Sequence, residues 1–204
     1  MRAAGSDTCV LLLRHGETSE TAERRYPSAR DLPLSERGRA QTAALVQALQ
    51  GVALDAVFAS ESRRARETAE LLLAERDLPL QILPELAEMR FGQLGGLTAD
   101  QAAQAFPEAF KRWQANPFEL TLPDAEPFLD FVGRVRRARR ELSRAWAGRT
   151  ITIITHGGVI AVWRCLEEGR PWEEFWQSIP APGTGVWLIR AEGQVRVETL
   201  RPEG

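Results

Sequence analysis

Two histidines and two arginines carry the chemistry that this sequence advertises. The chain has only two histidines, His15 and His156, and each stands directly before glycine at the end of an apolar run: Cys9 to Leu13 in the first case, Thr150 to Thr155 in the second. Arg14 precedes His15, and a third junction, after Ala56 to Ala59, supplies Ser60 and then Arg63-Arg64. Guanidinium forks match phosphate oxygens, and glycine lets backbone N–H groups come close to them, so Arg, His and Gly at such junctions make a site for an anion. A metal site is the poorer reading: a divalent ion wants two or three histidines with a carboxylate, and Arg14 places a positive charge beside one of only two. The other alternative, two core histidines with solvated arginines, does not account for both histidines falling at strand-end glycines.

Sequence-distant residues meet only if the elements before them line up. Cys9 to Leu13, continuous and apolar, predicts a buried parallel strand feeding a loop. Ser35 is placed to cap a helix with Ala40, Ala44, Leu45, Ala48 and Leu49 on its apolar face, closed by Gly51. Ala56 to Ala59 reads as a short strand, followed by a helix from about Ser62 to Arg64 onward with Ala65, Ala69, Leu72 and Leu73 inward. Leu80 to Leu83 predicts a third strand. Residues 85–130, rich in glycine, proline and aromatic side chains, read as an insertion. Phe128, Phe131, Val132, Val135, Ala138, Leu142 and Ala145 recur at helical spacing, and the arginines of the run from Arg134 to Arg140 read as its solvated face. Thr150 to Thr155 has a strand's β-branched richness. A helix from Val159 to Leu166 and a hairpin, Gly185 to Arg190 and Gln194 to Leu200 around Glu192-Gly193, complete the chain. Strand alternating with helix predicts an α/β three-layer α/β/α sandwich with a mostly parallel sheet, in which strand ends share one edge and ligands bind at the switch in strand order.

Composition bounds the class. A chain of 204 residues, 44% hydrophobic and 26% charged, has the ordinary globular balance, which excludes disordered, collagen-like and coiled-coil readings. Its formal charge of −2 offers no bulk attraction to nucleic acid or to an anionic membrane. Two cysteines, Cys9 and Cys165, are too few for a disulfide framework and fit a reducing compartment. The first apolar run is strand-length, too short for a signal peptide core or a membrane span. The expectation is a single domain over 1–204 in the cytoplasm.

The ordered motifs resemble those of the histidine phosphatase superfamily, the phosphoglycerate mutase-like proteins. They are Leu13-Arg14-His15-Gly16-Glu17-Thr18, then the stretch from Asp31 to Gly38, Ala59-Ser60 with Arg64-Ala65 and Thr68-Ala69, Glu85-Leu86-Ala87-Glu88 with Phe91-Gly92, and Thr155-His156-Gly157-Gly158. The resemblance implies a phosphoglycerate mutase-like fold with a partly helical insertion over the site, and no cofactor. It implies that His15 is the nucleophile and becomes a phosphohistidine, that Arg14, Arg64 and His156 bind the phosphoryl oxygens, and that Glu88 is the proton donor. Gly157 adds a backbone N–H, and Thr18 and Thr21 lie near substrate. Physical chemistry agrees: imidazole attacks through an unprotonated nitrogen, so its other N–H needs an acceptor, most simply a loop carbonyl. His156 is expected charged when phosphate is bound. Glu85 competes with Glu88 for the acid role, and Glu17 has a loop-partner alternative.

Two positions depart from the pattern of many relatives: Thr21 where they carry Asn, and Ala125-Glu126-Pro127 where they carry Gly-Glu-Ser. These concern substrate positioning. Only 68 positions separate Glu88 from His156 (156 − 88), resembling the shorter phosphatase branch rather than the mutases with long closing insertions. The expected function is hydrolysis of small phosphomonoesters without a metal. The alternatives are a cofactor-dependent phosphoglycerate mutase and a non-catalytic phosphate-binding module. Phe91, Phe106, Phe110 and Trp113 read as core side chains or as an apolar wall for the leaving group. The expected partner is a small phosphorylated metabolite, with no nucleic acid and no membrane, and self-association as a homo-oligomer is left open.

Overall fold

The computed structural model describes residues 7–202 of the chain, so positions 1–6 and 203–204 of the expected domain lie outside the described residues. One six-stranded sheet forms its centre: β1 (Thr8–Arg14), β2 (Ala56–Ala59), β3 (Leu80–Ile82), β4 (Thr150–Thr155), β5 (Gly185–Ala191) and β6 (Gln194–Leu200), in the spatial order β3-β2-β4-β1-β5-β6. The first four strands in that order run parallel, while β5 pairs antiparallel with β1 and with β6. Both faces of the sheet are covered, which is why β1 from Cys9 to Leu13 and β2 throughout are apolar at successive positions rather than at alternate ones. Val10, Leu12 and Phe58 join the core beneath α6 (Phe128–Ala145) and α7 (Gly157–Glu168), and Leu11, Leu13 and Val57 join that beneath α2 (Glu36–Ala48) and α3 (Arg63–Leu73).

The elements follow the hydrophobic patterning, with several corrections. Ser35 caps α2 by accepting the Gly38 N–H, but the buried line is Gly38, Thr42, Leu45 and Leu49, and Ala40 and Ala48 are exposed. Gly38 must be small because a Cβ there would collide with the Glu17 carbonyl, so the helix packs directly onto the loop that carries His15. In α3 the inward line is Ala65, Thr68, Ala69 and Leu72, with Leu73 only half-buried. Helix α7 begins at Gly157 rather than Val159, which makes His156 its N-cap residue. The β5–β6 turn has Glu192 at φ 50° and Gly193 at φ 77°, as a two-residue hairpin turn with matching twist requires.

The insertion is partly helical, with α4 (Ala99–Ala105), α5 (Pro107–Ala115) and short 3₁₀ turns at Pro84–Leu86, Gly92–Leu94 and Pro117–Glu119. Trp113 is fully buried within a ring cluster of Tyr26, Phe91, Phe110 and Trp176, at centroid separations of 4.9 to 5.9 Å from it. Of the four insertion aromatics named from sequence, only Phe91 lines a cavity; Phe110 and Trp113 belong to the core, and Phe106 packs against it. No helix among the described residues is long and apolar enough to cross a membrane.

Candidate active site

The central parallel pair sets the site. Strand β1 pairs with β4 in a register that puts Arg14 opposite Thr155, so His15 and His156 leave the same sheet edge side by side. The edge lies where the chain order reverses, since β4 inserts between β1 and β2, and this is where α/β sheets open a crevice. The two rings stand 5.1 Å apart, edge to face, and both residues are buried.

His15 is held in one tautomer. Its Nδ1 lies 2.7 Å from the Gly16 carbonyl, which can only accept, so Nδ1 carries the proton and Nε2 is left with its lone pair. The Arg64 Nε–H donates to that lone pair at 3.1 Å, and its Nη2 lies 3.2 Å from Nδ1 of His156. The same logic gives His156 the opposite tautomer: Nδ1 accepts from Arg64, and Nε2–H donates to Ser60 Oγ at 2.9 Å. Arg64 sits in the first turn of α3, and Thr68 on the next turn ties that helix to the His15 loop by accepting the Gly16 N–H.

Arg14 donates through Nη1 to the Pro180 carbonyl, while its buried Nε has no partner. A buried donor without an acceptor is costly, and a phosphoryl oxygen would satisfy it. Gly157 packs on this guanidinium, where a Cβ would stand 3.3 Å from Arg14 Cζ. Glu88 arrives from the insertion. Its carboxylate oxygens accept the Met89 N–H and the Gly158 N–H, both at 3.0 Å, and a side chain at Gly158 would occupy the place of Glu88 Oε1. Glu88 also lies on the wall between two cavities. One, of about 930 Å³, includes Arg64, His156, Arg30, Asp31, Phe91 and Asp124; the other, of about 350 Å³, includes Arg14, Thr21, Tyr26, Gly157, Trp176 and Ile179.

The other sequence candidates fall elsewhere. Thr18 spends its hydroxyl as the N-cap of the four-residue α1 (Ser19–Ala22), accepting the Thr21 N–H, and lines neither cavity. Thr21 lines the smaller cavity, with its hydroxyl donating to the Thr18 carbonyl. Glu17 accepts from Ser35 at the start of α2 and faces Arg37, a loop partner. Glu85 is exposed and Arg63 pairs with Glu67 on the surface. Two features escaped the sequence reading. Ser60 orients His156, a role invisible without the tautomer, and Arg134 is not on a solvated face but reaches the Glu88 loop. Among the described residues no group of three or more His, Cys, Asp or Glu is placed to hold a metal ion.

Burial, reinforced by Arg64 and Arg14, holds the His15 imidazole well below the ordinary histidine range; burial, then Arg64, His15 and Arg14, does the same for His156. Burial also lowers both guanidinium groups, against the pull of Glu88. Folded histidines with depressed values refuse protons that the unfolded chain accepts, so their stabilisation is complete above about pH 6.5 and is lost as pH falls below it. With only two histidines in the chain, unfolding free energy is expected to fall from pH 6.5 to pH 5, the slope approaching about 2.7 kcal/mol per unit for two such groups. Denaturant titrations at pH 7.5, 6 and 5 measure it, and a flat or rising stability would contradict neutral buried imidazoles.

The histidine phosphatase superfamily (branch 1) model matches residues 10–201. The adenosylcobalamin/alpha-ribazole phosphatase of Escherichia coli (strain K12) is 36% identical over 168 residues, covering 82% of this chain and 82% of that protein. Phosphoglycerate mutase-like protein 4 of Arabidopsis thaliana is 32% identical over 166 residues, covering 79% of this chain and 71% of that protein. Among solved structures, the alpha-ribazole phosphatase from Shigella flexneri superposes with a TM-score of 0.82 at 31% identity, covering 94% of this chain and 95% of that one.

Proposed function

This chain belongs to the histidine phosphatase superfamily, branch 1, and from that premise we propose that it is a phosphomonoesterase working through a phosphohistidine on His15 without a metal. The observation that carries the reading is the Nδ1–H bond of His15 to the Gly16 carbonyl, which leaves Nε2 unprotonated inside a cationic pocket, its lone pair facing the Arg64 Nε–H until a phosphoryl group draws that guanidinium onto its oxygens. In the first step Nε2 bonds to phosphorus as the ester P–O bond breaks, and protonated Glu88 gives its proton to the departing alkoxide. In the second, Glu88 carboxylate takes a proton from water, the water oxygen bonds to phosphorus, the N–P bond breaks, and inorganic phosphate leaves. The transition-state charge is spread over three equatorial oxygens, which Arg14, Arg64 and a His156 made cationic by the bound phosphate contact in place of a metal clamp. Gly157 N–H, at the first turn of α7, is a further donor.

The substrate is a small phosphorylated metabolite whose leaving group occupies the larger cavity, and the protein acts in the cytoplasm, where Cys9 and Cys165 stay as free thiols. Its relatives' names put alpha-ribazole-5'-P among the first esters to assay. The test is phosphate release from a panel of monoesters with chelator present, alongside trapping of labelled enzyme by rapid denaturation. Turnover with an acid-labile label on His15 is expected. Activity abolished by chelator, or turnover with no label ever found, would overturn the mechanism, and efficient phosphoglycerate isomerisation with little hydrolysis would make the protein a mutase.

A further inference from the structure

The loop that presents Glu88 carries no regular hydrogen-bonded structure beyond the single turn at Pro84–Leu86, yet the carbonyls of residues 85–88 are each engaged by another element. Arg134, on the first half of α6, donates from Nη1 to the carbonyls of Glu85 at 2.8 Å and Ala87 at 2.6 Å, and from Nη2 to that of Glu88 at 3.0 Å. Thr155, the last residue of β4, donates to the Leu86 carbonyl at 2.7 Å. The guanidinium is itself fixed by a forked pair with Glu126, Nε to Oε1 at 2.8 Å and Nη2 to Oε2 at 2.9 Å, and it lies 4.8 Å above the Phe131 ring. Glu126 is nearly buried and also accepts the Arg90 N–H, closing the far end of the loop. Arg134 therefore directs the Nε, Nη1 and Nη2 donors of one planar guanidinium to five acceptors, a set that three ammonium protons on a lysine cannot reproduce.

From this geometry we infer that Arg134, anchored by Glu126, is a positioning residue that sets where the Glu88 carboxyl meets the leaving oxygen. The inference rests on Glu88 being the proton donor. Proton transfer needs donor and acceptor within hydrogen-bond reach, so a loop displaced by even 1 Å loses general-acid assistance while the His15 pocket, built on β1, α3 and α7, is untouched.

The test compares Arg134→Lys with wild type on β-glycerol phosphate, whose alkoxide needs a proton, and on p-nitrophenyl phosphate, whose phenolate does not. The ratio of alkyl to aryl kcat/KM, which reports the phosphorylation step alone, is expected to fall about 10-fold or more, in line with partial loss of general-acid catalysis, and Glu126→Gln to move it the same way. In a Glu88→Gln background the Arg134→Lys change is expected to leave the ratio unaltered, because the group it positions is gone. An unchanged ratio, or a fall that persists without Glu88, overturns the inference. If Arg134→Lys does not fold, Glu126→Gln decides alone. Should Glu88→Gln itself leave the ratio unmoved, the proton-donor reading fails first; a ratio lowered by Glu88→Gln and untouched by Arg134→Lys sinks only the positioning role.

Discussion

The His15→Ala protein is expected to lose phosphomonoester turnover by a factor on the order of 10⁴–10⁶ in kcat, the scale seen when a covalent nucleophile is removed from an assembled site. Alanine takes away the only group aligned for attack, since the neighbouring imidazole of His156 has its Nδ1 facing Arg64 and its Nε2 committed to Ser60. The cationic pocket survives the change: Arg14 is anchored on the Pro180 carbonyl, and Arg64 belongs to α3. Inorganic phosphate should therefore still bind, within about an order of magnitude of wild type by the logic that binding and bond-making donors are separate here. Steady-state kinetics and calorimetric titration with phosphate measure the two quantities. A His15→Ala enzyme with unimpaired turnover would dispose of the nucleophile, and equal inertness of wild type and variant toward all esters, with equal phosphate binding, would make this a binding module.

Glu88→Gln is expected to cost about 10²–10⁴ in kcat on an alkyl phosphomonoester, the range supplied by a positioned general acid. On p-nitrophenyl phosphate the first step needs no proton, so kcat/KM, which reports that step, should fall far less than it does on the alkyl ester. Gln keeps the size of Glu but has one acceptor oxygen where the carboxylate uses two, so it retains either the Met89 N–H or the Gly158 N–H and turns its NH2 toward the other. The backbone of the loop stays held through its carbonyls by Arg134 and Thr155. Burst kinetics separate the two steps: with the aryl ester, phosphohistidine should form quickly and its hydrolysis, which requires Glu88 as base, should become limiting. Equal losses on both esters without a burst would assign the proton to another group, and Glu85, exposed and turned away from both cavities, is poorly placed to be that group.

How far the site was legible in the sequence depended on where each residue's constraint comes from. Arg14, His15 and His156 could be read because a buried parallel strand has a one-dimensional signature, a β-branched or aliphatic run that stops, and the residue after the stop lies at the ligand edge whatever the rest of the fold does. The same signature delivered the pair Arg63-Arg64 after β2, and the family motif singled out Arg64, which lies in the first turn of α3. Glu88 came only from family motif order, because its loop has no periodicity. Thr18 was read toward phosphate and spends its hydroxyl on a helix cap, since Ser, Thr and backbone donors at a turn satisfy one another locally before they meet any ligand.

By itself, then, the order of residues along the chain determined the layers of this protein, its mostly parallel sheet and the delivery of two histidines and two arginines to one edge, since those depend on burial patterns with periods of two and 3.6 residues. The His15 tautomer, set by the Gly16 carbonyl next to it, is a local matter that the sequence already implied; tertiary structure alone decided the tautomer of His156 and the grip of Arg134 on the Glu88 loop. Both of these rest on contacts between groups separated in sequence by intervening elements, such as the 92 positions from Arg64 to His156 and the 46 from Glu88 to Arg134. Such contacts are directional and of hydrogen-bond length, and no hydrophobic pattern encodes them; they exist only once packing has brought the partners within 3 Å.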